Sequence, residues 1–168
     1  MQKKILYTGK IISLSIYNLI HKGNKIKREI IQHNGIATVV AFDGKKVILV
    51  KQYRFPHGEL LEIPAGLIES NESPQECVKR ELAEEAGYIA NKLTFLFKFN
   101  PSVGHSTETV HCYLATDLKK IPHFQVNEKE IISVEKIDFN KLLNMIKKGK
   151  IVDSKTICAL LYYLSFKS

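Results

Sequence analysis

Cysteine and arginine are the scarce residues of this chain, and each scarcity excludes something. Only Cys77, Cys112 and Cys158 stand among the 168 residues. The number is odd and no pair has C-x-x-C spacing, which argues against a disulfide framework and against a zinc site. All three read as reduced, mostly buried thiols. The arginines are Arg28, Arg54 and Arg80, against 22 lysines, so each arginine marks a place where a planar, bidentate donor is needed. No apolar run reaches 18 residues, and residues 1–10 turn polar too soon for a signal peptide. A soluble, cytoplasmic protein with no membrane partner is therefore expected. The net charge of +8 and the pI near 9.3 rest on scattered lysines rather than on a basic stripe interleaved with aromatics. That distribution predicts attraction for small anions and no nucleic-acid partner.

What is present suits one domain of mixed α/β class. The length and a 45% hydrophobic content support a single packed core. Strands are expected at residues 5–12, 14–19 and 27–33, with a turn at His21-Lys22-Gly23-Asn24-Lys25. Asn34-Gly35 marks a boundary. Residues 36–42 read as a fully buried strand, Asp43-Gly44 as a hairpin turn and residues 46–53 as the partner. Further strands are expected at 93–99, 110–115 and 131–137. Helices are expected at 139–148 and 154–166, the second capped by Asp153, with Leu142, Ile157 and Leu160 among their core residues. There is no internal repeat and no low-complexity segment.

The densest chemistry lies between Gly66 and Tyr88, which carries six glutamates. Ser73 with Glu76 forms a capping box, Pro74 fits a first helical turn and Gly87 suits a left-handed cap, so a helix should run over 74–86. Val78, Leu82 and Ala86 would form its buried stripe. Glu81, Glu84 and Glu85 then stand at i, i+3 and i+4 on adjoining positions of one face, where like charges repel by about 0.2–0.5 kcal/mol per pair. A solvated acidic face is the plain reading of such a pattern. A bound cation would reverse the repulsion, and Mg2+ prefers a few carboxylates together with waters and phosphate oxygens.

Gly66, Glu72, Arg80-Glu81, Leu82, Glu84-Glu85 and Gly87 reproduce the spacing of the Nudix box, and the chain thereby resembles the Nudix hydrolase superfamily. Tyr88 stands where an aliphatic residue is usual. The resemblance implies an α/β/α sandwich with a mixed sheet. It also implies that Glu81, Glu84 and Glu85, with the backbone carbonyl of Ala65, hold catalytic Mg2+ (or Mn2+), and that Glu72 pairs with Arg80 to fix loop against helix.

The likeness extends to the ADP-ribose pyrophosphatase subfamily through Lys51-Gln52-Tyr53-Arg54-Phe55-Pro56 and Leu60-Leu61-Glu62-Ile63-Pro64-Ala65-Gly66. It implies that Arg54 contacts a substrate diphosphate, as guanidinium geometry allows. Residues 1–33 resemble that subfamily's antiparallel β extension, which joins two subunits, so a homodimer is expected, with 34–168 as the catalytic core. Arg28 is then placed either to reach substrate or to form an interface salt bridge. The loop Asn100 to Glu108 is similar to the subfamily's discriminating loop but inserts Ser102-Val103 before Gly104. Glu108 is a candidate for sugar hydroxyls or for the metal shell. The general base is placed by likeness at Glu128 first and Glu130 second. The expected reaction is hydrolysis of a nucleoside diphosphate sugar, with ADP-ribose first and GDP-mannose as the rival. A non-catalytic nucleotide sensor is the alternative from another class.

Overall fold

A computed structural model describes residues 1–126 and 129–166. Three strands at the N-terminus, β1 (Gln2–Thr8), β2 (Ile12–His21) and β3 (Asn24–His33), form an antiparallel sheet in the order β1-β2-β3. The first strand ends four residues earlier than its apolar run suggests. Gly9 N–H donates to the Ile12 carbonyl at 2.9 Å and closes a turn inside the run. Periodicity alone could not place that break, because Ile11 and Ile12 carry apolar character through it.

The core begins with β4 (Ile36–Asp43) and β5 (Lys46–Arg54), joined by the expected Asp43-Gly44 turn. Two short strands, β6 (Gly58–Glu62) and β7 (Ala65–Leu67), precede α1 (Pro74–Ala86). Then come β8 (Tyr88–Phe99), β9 (Val110–Lys120), β10 (Ile131–Asp138), α2 (Phe139–Lys147) and α3 (Ser154–Phe166). The seven-stranded sheet has the path β10-β5-β4-β9-β8, with β6 on β5 and β7 on β4. Among the strand pairings of the described residues in this sheet only β4 with β9 is parallel, so the sheet is mixed.

Strand alternation explains why the apolar runs are buried on both sides. From β4 and β5, Ala37, Val39, Ala41, Ile48 and Val50 pack with Cys77, Val78, Leu82 and Ala86 of α1. The alternate residues Val40, Val47 and Leu49 pack with Phe139 and Leu142 of α2 and Ala159 and Leu160 of α3. Helices thus cover both faces, as an α/β/α sandwich requires. No helix among the described residues is long and apolar enough to cross a membrane.

One detail of register creates the cleft. β4 and β5 pair only through Ala41–Asp43 and Lys46–Ile48. Beyond that they part, and β5 takes β6 as its neighbour from Val50 onward while β4 takes β7 at Ile36–Thr38. Residues 63–65 cross between the two diverging strands, held by the Pro64 carbonyl, which accepts from Val39 N–H at 3.1 Å and Thr38 Oγ1 at 3.0 Å. The end of β5 and the start of β7 therefore face each other across an opening.

Candidate active site

Helix α1 forms over the residues its local signals predict. Ser73 Oγ accepts from Glu76 N–H at 3.2 Å, the Glu76 carboxylate accepts from Ser73 N–H at 2.8 Å, and Gly87 adopts φ 73°. Gly87 has a second reason to be glycine, since an added Cβ would stand 2.3 Å from the Phe124 ring. Val78, Leu82 and Ala86 are buried as expected, and so are Glu81 and Glu85, at 7% and 2% exposure.

Burial of those two carboxylates is matched by specific donors. Glu85 Oε2 accepts from Ala65 N–H at 2.9 Å and its Oε1 from Gln52 Nε2 at 3.2 Å. Glu81 Oε1 accepts from Arg80 Nη1 at 2.5 Å. Its carboxylate also lies so close to the loop that a Cβ on Gly66 would be 1.7 Å from that oxygen. Glu84 is more open, with its side chain 51% exposed, and accepts from Arg80 Nη1 at 3.1 Å. Among the described residues every buried side-chain polar atom has a partner.

Arg80 is the hub of this arrangement. Its Nε and Nη2 grip Glu72 at 2.8 and 3.0 Å, Nη2 reaches the Leu67 carbonyl at 3.2 Å, and Nη1 serves Glu81 and Glu84. Such a bidentate fork is the use for which lysine cannot substitute. The Arg80 hydrogen bond, helped by the Glu69 backbone and opposed by burial, holds the Glu72 carboxyl down at about 2 from its ordinary 4.5. A carboxyl with a depressed folded value stabilises the protein fully above its unfolded value and loses that contribution as pH falls through the folded one. Urea midpoints of the wild type should therefore fall between about pH 4.5 and pH 2 relative to those of Glu72→Gln. Parallel curves for the two proteins would refute the role given to this pair.

Beneath α1, Cys77 faces the Gly66 and Leu67 carbonyls at 3.6 and 3.4 Å, and burial pushes its thiol up to about 12. Cys112 is likewise pushed to about 12 by burial. The described thiols are unbridged, and these two stay protonated and serve packing.

A cleft of about 1020 Å³ opens where β4 and β5 diverge, and Gln52, Arg54, Gly66, Glu81, Glu85 and Lys155 are on its wall. Arg54 Nε and Nη2 pair with Glu62 at 3.1 and 3.3 Å, and Nη1 pairs with Glu130 at 3.1 Å. Glu62 is 1% exposed and holds Lys155 Nζ as well, at 3.0 Å. Glu130 is largely exposed, its side chain at 65%. The turn at Lys10-Ile11 and the end of β3 at His33-Asn34 also border the cleft, so the N-terminal sheet reaches it.

Other candidates lie elsewhere. Arg28 is exposed on β3 and donates to the Lys27 carbonyl at 3.0 Å. Gly104 and Glu108 are outside the cleft wall of this single chain. Their loop instead docks on β3, where Ile31 N–H donates to the His105 carbonyl at 2.8 Å and Thr107 N–H to the Ile31 carbonyl at 3.0 Å. Glu128 lies outside the described residues. Sequence reasoning passed over Gln52, Glu62 and Lys155. An acid set between Leu61 and Ile63 was the available signal for Glu62, whereas the other two are positioned by contacts distant in sequence.

Among the described residues no three acidic, histidine or cysteine side chains are gathered closely enough to hold an ion as they stand. Arg80 and Gln52 occupy the oxygens instead. The donor set is nonetheless all oxygen, and the glycine cradle brings Glu81 against the loop carrying Ala65. Both features suit a hard divalent cation rather than zinc or copper.

The chain is 36% identical over 164 residues to an ADP-ribose pyrophosphatase of Bacillus subtilis (strain 168), covering 95% of this chain and 89% of the relative. It is 34% identical over 161 residues to a methanol dehydrogenase activator of Bacillus methanolicus, covering 94% and 87%. It is 33% identical over 160 residues to a GDP-mannose pyrophosphatase of Escherichia coli, covering 87% and 83%. The crystal structure of an ADP compounds hydrolase superposes with a TM-score of 0.86 at 20% identity, over 99% of this chain and 91% of that one. The family model of the NUDIX domain matches residues 32–160, and with the box on α1 and the sandwich around it the chain belongs to the Nudix family.

Proposed function

We propose that the protein is a Mg2+-dependent pyrophosphatase of nucleoside diphosphate sugars, hydrolysing ADP-ribose to AMP and ribose 5-phosphate. The observation that carries this reading is that buried Glu85 bonds Ala65 N–H and buried Glu81 lies against Gly66, on the same cleft wall as Arg54. Glu81, Glu84, Glu85 and the Ala65 carbonyl would hold the divalent ions, Mn2+ being an acceptable substitute. Ions bound there supply charge neutralisation at the diphosphate and make an attacking water more acidic.

The chain's own residues do the rest. Arg54 keeps Nε and Nη2 on Glu62 and exchanges the exposed Glu130 for a phosphate oxygen at Nη1. That exchange is cheap, because exposed ion pairs are worth about 0–1 kcal/mol. A freed Glu130, or Glu128, then accepts the proton of the water that attacks phosphorus. Gly104 and Glu108 belong to the loop assigned to the sugar. Ile5, Leu6, Tyr7 and Ile20 on β1 and β2 are about half or more exposed, which supports a homodimer through this sheet. Such a dimer would bring Arg28 toward a second cleft. A cytoplasmic location suits both the free thiols and the substrate.

GDP-mannose is the second reading, favoured by the relative that bears its name and by the Ser102-Val103 insertion. A panel of ADP-ribose, GDP-mannose, UDP-glucose, NADH and diadenosine polyphosphates with Mg2+ separates the two. AMP with ribose 5-phosphate as the fastest products is the expected result. A preference for GMP with mannose 1-phosphate moves the substrate, and no hydrolysis anywhere in the panel overturns the reading in favour of a nucleotide sensor.

A further inference from the structure

We propose that Lys155 is a positioning residue for diphosphate recognition, acting through Glu62 on Arg54; the inference rests on the reading of Arg54 as the diphosphate contact. Glu62 is a fully buried carboxylate with two cations, Arg54 across the fork and Lys155 at 3.0 Å on Oε2. Lys155 is itself fixed, because Nζ also donates to Asp153 Oδ1 at 2.7 Å. Asp153 caps α3 through its other oxygen, accepting from Thr156 N–H at 2.9 Å and Thr156 Oγ1 at 2.6 Å. Thr156 Oγ1 in turn accepts from Ile63 N–H at 3.0 Å, one residue beyond Glu62. The start of α3 and the end of β6 are thus tied at two points, and Lys155 is the tie that carries charge.

The physical consequence falls on Arg54. A carboxylate with a single cation in a low-dielectric pocket spends its whole charge on that cation. With Lys155 removed, Glu62 would draw the guanidinium into a one-to-one pair, and its orientation would no longer be set from the α3 side. Lys155 divides the attraction of Glu62 and holds the plane of the carboxylate. The third guanidinium nitrogen, Nη1, then points away from Glu62, where it meets the replaceable Glu130. Preorganising a donor in this way lowers the cost of binding.

The test is calorimetric titration of ADP-ribose and of GDP-mannose, without divalent ions, into wild type, Lys155→Met, Lys155→Arg, Arg54→Gln and the Lys155→Met/Arg54→Gln double variant. Lys155→Met should weaken both compounds about tenfold, because they share the diphosphate, and Lys155→Arg should recover most of the loss. On the Arg54→Gln background the same change should cost less than about twofold, since members of one salt-bridge network are non-additive. Where Arg54→Gln binds too weakly to titrate, kcat/KM with Mg2+ closes the cycle. Equal losses on both backgrounds, or wild-type affinity in Lys155→Met, would overturn the inference and leave the hydrolase reading standing. Absence of binding of either compound to the wild type would overturn the inference together with the Arg54 assignment beneath it.

Discussion

Glu85→Gln should retain the fold and lose at least about 10²-fold of Mg2+-dependent hydrolysis, within the 10²–10⁴-fold range of groups that act on the reacting atoms. The side chain is 2% exposed and ends on two donors, Ala65 N–H and Gln52 Nε2. A carboxylate accepts at both oxygens, whereas an amide offers one acceptor and one donor. With the new amide's oxygen on Ala65 N–H, its NH2 group meets Gln52 Nε2 donor to donor unless Gln52 turns its own amide over, and the reverse setting leaves Ala65 N–H facing a donor. An unmade buried hydrogen bond costs roughly 1–3 kcal/mol, and in a domain of this size each kcal/mol lowers the melting temperature by roughly 2–4 °C. The variant should therefore melt several degrees lower yet remain folded, so that circular dichroism and initial rates on one preparation separate the two effects. A folded variant keeping more than about a tenth of the wild-type rate would remove Glu85 from the catalytic machinery.

The contrast between Glu85 and its supports shows what a sequence can carry. Helix α1 appears with the predicted bounds because all its signals are local: Ser73 with Glu76, Pro74 and Gly87 lie on or beside the helix and act on their own backbone. The buried strands β4 and β5 are equally readable, since unbroken apolar runs around Asp43-Gly44 leave little else for them to be. The limits of β1 and β8 are not. The turn at Gly9 is hidden in an apolar run, and β8 starts at Tyr88 rather than near residue 93 because β9 reaches Lys120 and pairs along its whole length.

The same division runs through the site. Glu81, Glu84 and Glu85 are visible as a spacing, and Arg80 with Glu72 as a fixed separation in one loop and helix. Glu62 is marked only by its apolar neighbours, and Gln52 and Lys155 are visible only when distant segments meet: Gln52 is 33 residues from Glu85, and Lys155 is 93 from Glu62. The positions of Gln52 and Lys155 are set by tertiary packing, which no local pattern encodes. The loop around Gly104 is placed by resemblance rather than by a local pattern, and within the single chain its backbone pairs with β3.

Gly66→Ala should cost activity far more than stability, and that split follows from what the added methyl would meet. The backbone at Gly66 is not in the left-handed region, so alanine is conformationally acceptable there. The new Cβ would lie 1.7 Å from Glu81 Oε1, 2.0 Å from Cδ and 2.7 Å from Cγ. The helix cannot retreat to make room, because Cys77, Val78 and Leu82 anchor it in the core at 0–1% exposure. Glu81 must turn instead, and as the end of a flexible side chain it can do so at modest cost in folding energy. Its carboxylate then no longer stands against the Ala65–Gly66 backbone, and the oxygen set shared with Glu85 is broken. The expected outcome is a melting temperature within a few degrees of wild type, a loss of about 10²-fold in kcat/KM, and a Mg2+ requirement shifted to higher concentration. Loss of Tm in proportion to activity would mean that Gly66 serves packing alone. Activity within about threefold of wild type, with Mg2+ dependence unchanged, would show that the close approach of Glu81 to the loop has no part in the chemistry.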